Sequence, residues 1–295
     1  MKIISPFLLA LVLTSCTGDK GIDEEKYLQE HEKWKESRIE RLKSEKGWLN
    51  LAGLYWLSEG SNSFGADSSN QIIFPENAPA FCGTILKQGD SIQFIQPQPA
   101  EISVNGEIVP DALLIPDIAG NPTIMTFKNL AWYIIRRDSL YGIRLRDYEH
   151  PRIAKLDHIP AFEADLQWKK TAKFVPFKTM DSIWVPTATG TSEMYLVPGK
   201  LVFQHENETY ELLPFRSGKG FFLIIGDRTS GIETYAAGRF LYTKKPGLFN
   251  RVVLDFNKAY NPPCAFSPYA TCPLPPPENR LKLRITAGEK GVHLD

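Results

Sequence analysis

The chain has 295 residues, 34 basic and 34 acidic side chains, 43% apolar residues and 12% aromatics. That composition excludes a collagen-like, coiled-coil or wholly disordered chain, and a net charge of zero argues against a nucleic-acid binder, which needs a basic face. Proline is the one excess: 22 residues in all, seven of them between positions 262 and 277.

Residues 1–15 read as a signal peptide, with Lys2 ahead of an apolar run from Phe7 to Leu13. Such a run is too short to stay in a bilayer as a spanning helix. Leu13-Thr14-Ser15-Cys16 resembles the bacterial lipobox. The resemblance implies cleavage before Cys16, a lipid on its thiol and a tether over 16–22. The membrane is then a partner through lipid, and the expected location is the cell envelope at the outer membrane.

Residues 23–46 are predicted to form an amphipathic helix. Tyr27, Leu28, His31, Trp34, Ile39 and Leu42 share one arc, Asp23, Glu24 and Glu25 lie at its start, and Gly47 follows as a C-terminal stop. His31 reads as a packed histidine. From Gly47 the texture changes to short strands, so residues 47–150 are expected to form a first β domain. Asn105-Gly106 between apolar runs marks a hairpin. Phe64-Gly65, Ile72-Ile73-Phe74-Pro75 and Val104-Asn105-Gly106 faintly resemble a forkhead-associated sandwich. No arginine follows Gly65, and Ala78-Pro79-Ala80-Phe81-Cys82-Gly83 stands where that fold reads phosphothreonine. No phosphopeptide function is therefore implied.

Residues 151–171 read as a linker and 172–295 as a second β domain, a barrel or sandwich closed by a Pro/Cys-rich loop over 257–280. Its expected strands include Lys200–Gln204 paired with Thr209–Leu213, Gly220–Ile225, Arg239–Thr243, Arg251–Phe256 and Leu281–Ile285. The expected fold class is thus mainly β, an N-terminal helix followed by two β-rich domains. His150, His158 and His205 fall in turns and are expected to be exposed.

Tyr260-Asn261-Pro262-Pro263-Cys264-Ala265-Phe266, Cys272-Pro273-Leu274-Pro275-Pro276, Asn279-Arg280-Leu281, Gly238-Arg239-Phe240-Leu241 and Leu254-Asp255-Phe256-Asn257 resemble the domain-of-unknown-function family 1684 of bacteria and archaea. Gly53-Leu54-Tyr55-Trp56-Leu57 and Arg144-Leu145-Arg146-Asp147 resemble its amino-terminal part. The resemblance implies no activity.

The polar residues of these stretches are the candidate site. Arg144, Asp147, Arg239, Asn257, Asn261, Asn279 and Arg280 are ligand-binding candidates, with Asp255 and Glu289 as candidate catalytic bases. Arginines would hold a carboxylate or phosphate bidentately. The competing reading is that these groups satisfy the backbone of a proline-rich loop poor in hydrogen bonds of its own. Cys264 and Cys272 fit a disulfide or a pair of buried thiols. No Gly-x-Ser-x-Gly, His-Glu-x-x-His or phosphate-loop pattern occurs, and no metal or cofactor is expected. Three functions remain open: a lipid-anchored module that binds a small ligand or glycan, a hydrolase-type enzyme, and a structural or interaction protein.

Overall fold

The computed structural model describes residues 23–99, 101–218 and 220–292. The expected signal peptide and tether and the lipidation candidate Cys16 lie outside the described residues. No described helix is long and apolar enough to cross a membrane.

Helix α1 spans Glu24–Lys43. The Asp23 carboxylate caps it by accepting the Lys26 N–H at 3.1 Å, and Glu24 and Glu25 complement the dipole. It stops earlier than Gly47, at the C-cap Ser44. The role of Gly47 is close packing, since a Cβ there would stand 2.1 Å from the Leu42 carbonyl oxygen. The buried stripe is Tyr27, His31, Arg38 and Leu42, whereas Leu28 of the expected arc is exposed.

The first β unit carries β1 (Leu51–Trp56), β2 (Gly60–Gly65), β3 (Ile72–Ile73), β4 (Gly83–Gln88), β5 (Ser91–Ile95) and β6 (Ser103–Val104). It continues with β7 (Glu107–Ile108), β8 (Asp111–Leu113), β9 (Met125–Phe127), β10 (Leu130–Arg137) and β11 (Leu140–Asp147). They make a six-stranded sheet ordered β1-β11-β10-β9-β6-β7 and a five-stranded sheet ordered β3-β2-β4-β5-β8. Phe64, Phe74, Phe94 and Trp132 fill the space between them, with Trp132 edge-on to Phe64 and Phe74. Asn105 and Gly106 both have positive φ, as the β6–β7 hairpin requires.

Helix α2 (Pro151–Lys155) and a 3-10 turn at Leu166–Trp168 interrupt the expected linker. The second unit then opens on β12 (Lys169–Pro186), three residues earlier than expected, followed by β13 (Ser192–His205), β14 (Glu208–Leu212), β15 (Phe215–Ser217), β16 (Gly220–Ile225), β17 (Arg239–Lys244) and β18 (Arg251–Asp255). A four-stranded sheet ordered β14-β13-β12-β18 and a three-stranded sheet ordered β15-β16-β17 cover a core of Leu201, Phe203, Leu223, Leu241, Leu254 and Phe256. The β12–β13 hairpin accommodates Pro176 by shifting register between Pro176 and Asp181.

Two expectations fail here. Residues Leu281–Ile285 alternate in burial but form no strand. Their backbone makes isolated bonds to Gly226 and Arg228 in place of a ladder. His205 is buried, not exposed, and stacks on Trp168 with ring centroids 4.5 Å apart.

His205 and His150 have a shared consequence. Burial first, and then Lys170, lowers the His205 pKa from 6.5, and burial and then Arg152 do the same to His150. The unfolded chain takes up protons near pH 6.5 that the folded one refuses. Stability from these groups is therefore present above pH 6.5 and is lost as pH falls through the lower folded values. Urea midpoints are expected to drop between pH 7 and pH 5, and His205→Gln to make that drop shallower.

Candidate functional site

The candidate residues separate into four places, the last of them on β11. At the first, β17 begins with Arg239, whose side chain is 1% exposed. Its Nη2 donates to Asp227 Oδ2 at 2.7 Å and to the Ile285 carbonyl at 3.1 Å, and its Nη1 to the carbonyls of Ala287 and Glu289. Burial lowers the guanidinium pKa and Asp227 opposes that. Beside it, Glu289 accepts from Arg38 Nε at 3.1 Å and from the Asn261 N–H at 2.7 Å. Asn261 gives its amide to the Lys290 carbonyl at 2.7 Å, and its Oδ1 is buried with no partner.

At the second, Asp255 closes β18 and accepts the Tyr27 hydroxyl at 2.8 Å. Asn257 donates to the Asp165 carbonyl at 2.8 Å and to Tyr27 Oη at 2.9 Å, and its own carbonyl lies 2.9 Å from His31 Nε2. These bonds dock the first turns of α1 on the second unit.

The third place is the loop rim. Asn279 forms a two-bond clasp with the Leu213 backbone at 2.7 and 3.0 Å. Arg280 is exposed, with Nε on the Pro275 carbonyl at 3.2 Å. Arg144 and Asp147 stay on β11. Arg144 donates to Thr271 Oγ1 at 3.3 Å and keeps a buried Nε without a partner. Asp147 accepts from Asn129 at 2.6 Å and from the Glu149 N–H at 2.9 Å. Cys264 and Cys272 are free thiols packed together, the Cys264 N–H donating to Cys272 Sγ at 2.9 Å. Among the described residues no group of three or more His, Cys, Asp or Glu could hold a metal ion.

Most of this polar set therefore spends its donors on main-chain carbonyls or on one another. An open concave surface lies next to it, along the other side of α1. A groove of about 630 Å³ runs between α1, the turn that follows it and β17. Trp34, Trp48, Phe240, Tyr242 and Tyr260 supply aromatic surface, and Arg38, Arg41, Lys46 and Lys258 supply positive charge. No carboxylate is among the described residues that line it.

Each wall has a local cause. Tyr242 alternates outward on β17 and stacks on Phe222 at 4.9 Å, which fixes the ring while leaving it 57% exposed. Tyr260 lies 6.4 Å from Tyr242, nearly parallel to it, with Arg38 Cζ 4.5 Å above its ring. Arg38 is neutralised by Glu289 beneath, and Lys258 lies 3.6 Å from Asp255. Arg41 and Lys46 form no ion pair among the described residues, so they carry the uncompensated charge of the groove. Sequence reading missed the site because its residues come from positions 34 to 48 and 240 to 263. Arg38, set among apolar residues on the buried stripe of α1, was the available signal.

The architecture defines a mainly β protein with one N-terminal helix and several sheets. Residues 154–290 match the family described as "Protein of unknown function (DUF1684)". The solution NMR structure of an uncharacterized protein of Haloarcula marismortui is 30% identical, covers 46% of this chain and 78% of its own, and superposes with a TM-score of 0.40. The crystal structure of the FhaA FHA domain, complexed with the intracellular domain of Rv3910, is 16% identical over 32% of this chain and 97% of its own, with a TM-score of 0.22. Among curated proteins none matches the chain.

Proposed function

We propose that the protein is a lipid-anchored envelope module that binds a small anionic ligand with a flat or sugar-ring body in the groove beside α1. The observation that carries this is the lining itself: five aromatic side chains, four cations and no described carboxylate around about 630 Å³. Aromatic faces bind a ring by area and by contact with its C–H edges, at little entropic cost because the rings are already held. Arg41 and Lys46 then select for a carboxylate or phosphate on that ring. The volume suits a disaccharide or a mononucleotide.

Trp34 and Trp48 make the binding measurable by intrinsic fluorescence. Titration of the full chain with a digalacturonate is expected to change the emission and to weaken as salt is raised, while the neutral disaccharide maltose binds far less. Arg41→Ala combined with Lys46→Ala is expected to weaken the acidic ligand about tenfold or more, with folding unchanged because both side chains are exposed. A double variant that binds as the parent does, or a parent indifferent to digalacturonate and to adenosine monophosphate alike, overturns the assignment.

A further inference from the structure

Between β17 and β18 the chain reads Lys244-Lys245-Pro246-Gly247-Leu248-Phe249-Asn250-Arg251. Leu248 is 84% exposed and Phe249 85%, more than any other large apolar residue described. A folded chain gains by covering such side chains, and an isolated exposed leucine is ordinary. Two adjacent ones at the tip of a projecting turn, ringed by cations, are not.

The backbone holds them there. Phe249 has φ 57° and ψ 28°, and Asn250 has φ 56°, the left-handed region that an aromatic residue rarely occupies. The Gly247 N–H to Arg251 carbonyl bond at 2.8 Å closes the turn. Lys244, Lys245 and Arg251 flank the tip, all exposed, with no acid between them and no ion pair among the described residues.

We infer that this tip is a membrane-contact element that inserts Leu248 and Phe249 among the acyl chains of an anionic lipid surface. Apolar side chains enter the bilayer and the cations meet lipid phosphates at its rim. The position fits. The far end of β18, Asp255, holds Tyr27 of α1. Arg251 to Asp255 along β18 is four rises of about 3.3 Å, roughly 13 Å, and the helix starts one turn before Tyr27. Cys16 is seven residues ahead of Asp23, a tether that reaches at most about 24 Å. The inference takes only this proximity from the lipid-anchor reading. A lipid on a flexible tether leaves the body of the protein free to turn above the membrane, and a second contact of this kind orients it. It also fixes the direction in which the groove beside α1 faces.

The test uses the full chain carrying Phe249→Trp, compared with the parent, on phosphatidylglycerol vesicles containing a brominated lipid. The substitution is expected to add a blue-shifted emission component quenched by the brominated chains. Phosphatidylcholine vesicles or high salt should diminish it. Leu248→Asp with Phe249→Asp should lower the vesicle-bound fraction tenfold or more. The inference is overturned if the added emission stays water-like and unquenched on vesicles to which the chain has bound. It is also overturned if the chain does not bind, or if the Asp pair leaves partition unchanged, the outcome for a tip that docks on protein. The intact mass of the protein reports acylation of Cys16 separately, so failure of the anchor and failure of the tip are distinguishable.

Discussion

Asp227→Ala is expected to destabilise the protein by about 3–5 kcal/mol, read as the shift of a urea unfolding curve. The Asp227 and Arg239 side chains are 0% and 1% exposed, so they form an ion pair without access to water. Removing the carboxylate leaves a buried guanidinium whose pKa burial already lowers, with its main opposing partner gone. Asp227 also accepts from the Thr229 N–H at 2.7 Å and its hydroxyl at 2.5 Å, so the turn that starts there loosens too. A buried pair replaced whole by apolar groups is often harmless. That escape is closed here, because Arg239 also satisfies the carbonyls of Ile285, Ala287 and Glu289. Asp227→Leu with Arg239→Met is therefore expected to recover only part of the loss, leaving orphaned carbonyls in the segment where Leu281–Ile285 has no ladder of its own. A single variant costing less than about 1 kcal/mol would contradict this account of the loop.

Short-range features were legible in the sequence and long-range partners were not. Asn105-Gly106 announced its hairpin because the turn demands positive φ from those two residues. The Lys200–Gln204 and Thr209–Leu213 runs pair across a four-residue turn, in the register their alternation implies. The same alternation misled at Leu281–Ile285. Period-two burial there reflects a segment lying on the core with its backbone bonds taken singly elsewhere. The long β12–β13 hairpin was hidden by Pro176 and Pro186, which the register shift and the strand end accommodate. For the candidate site, residue type pointed to the right part of the chain. The deciding facts were which carbonyl each donor reaches, over separations such as the 46 residues from Arg239 to Ile285 and the 92 from Asn257 to Asp165, and where α1 docks, over more than 200, as between Tyr27 and Asp255. Arg38 shows the limit. Its position on the buried stripe was readable, but its partner lies 251 residues away.

That partner makes Arg38→Ala the second substitution of large effect, expected to cost about 3–5 kcal/mol and to expose α1 to protease. Arg38 joins the helix to the C-terminal segment through Glu289 and, at 2.8 Å, through the Asn261 carbonyl. Its loss strands a carboxylate that is 3% exposed. Burial already pushes the Glu289 pKa above 4.5, against the pull of Arg38, the Asn261 N–H and Arg239. Without Arg38 the rise must be larger. The folded state then holds a proton that the unfolded chain releases near pH 4.5. Stability from this group is present below that value and is lost as pH rises through the folded pKa. The Arg38→Ala deficit is therefore expected to be greater at pH 8 than at pH 5, opposite in sign to the acid loss expected from His150 and His205. Glu289→Gln in the Arg38→Ala background removes the titrating group and should abolish that pH dependence, returning part of the stability at pH 8. A deficit independent of pH would mean that Arg38 supports α1 by packing over Tyr260 and Phe266, with its charge contributing little. The groove would then lose its shape in Arg38→Ala, with no change in the electrostatic balance beneath it.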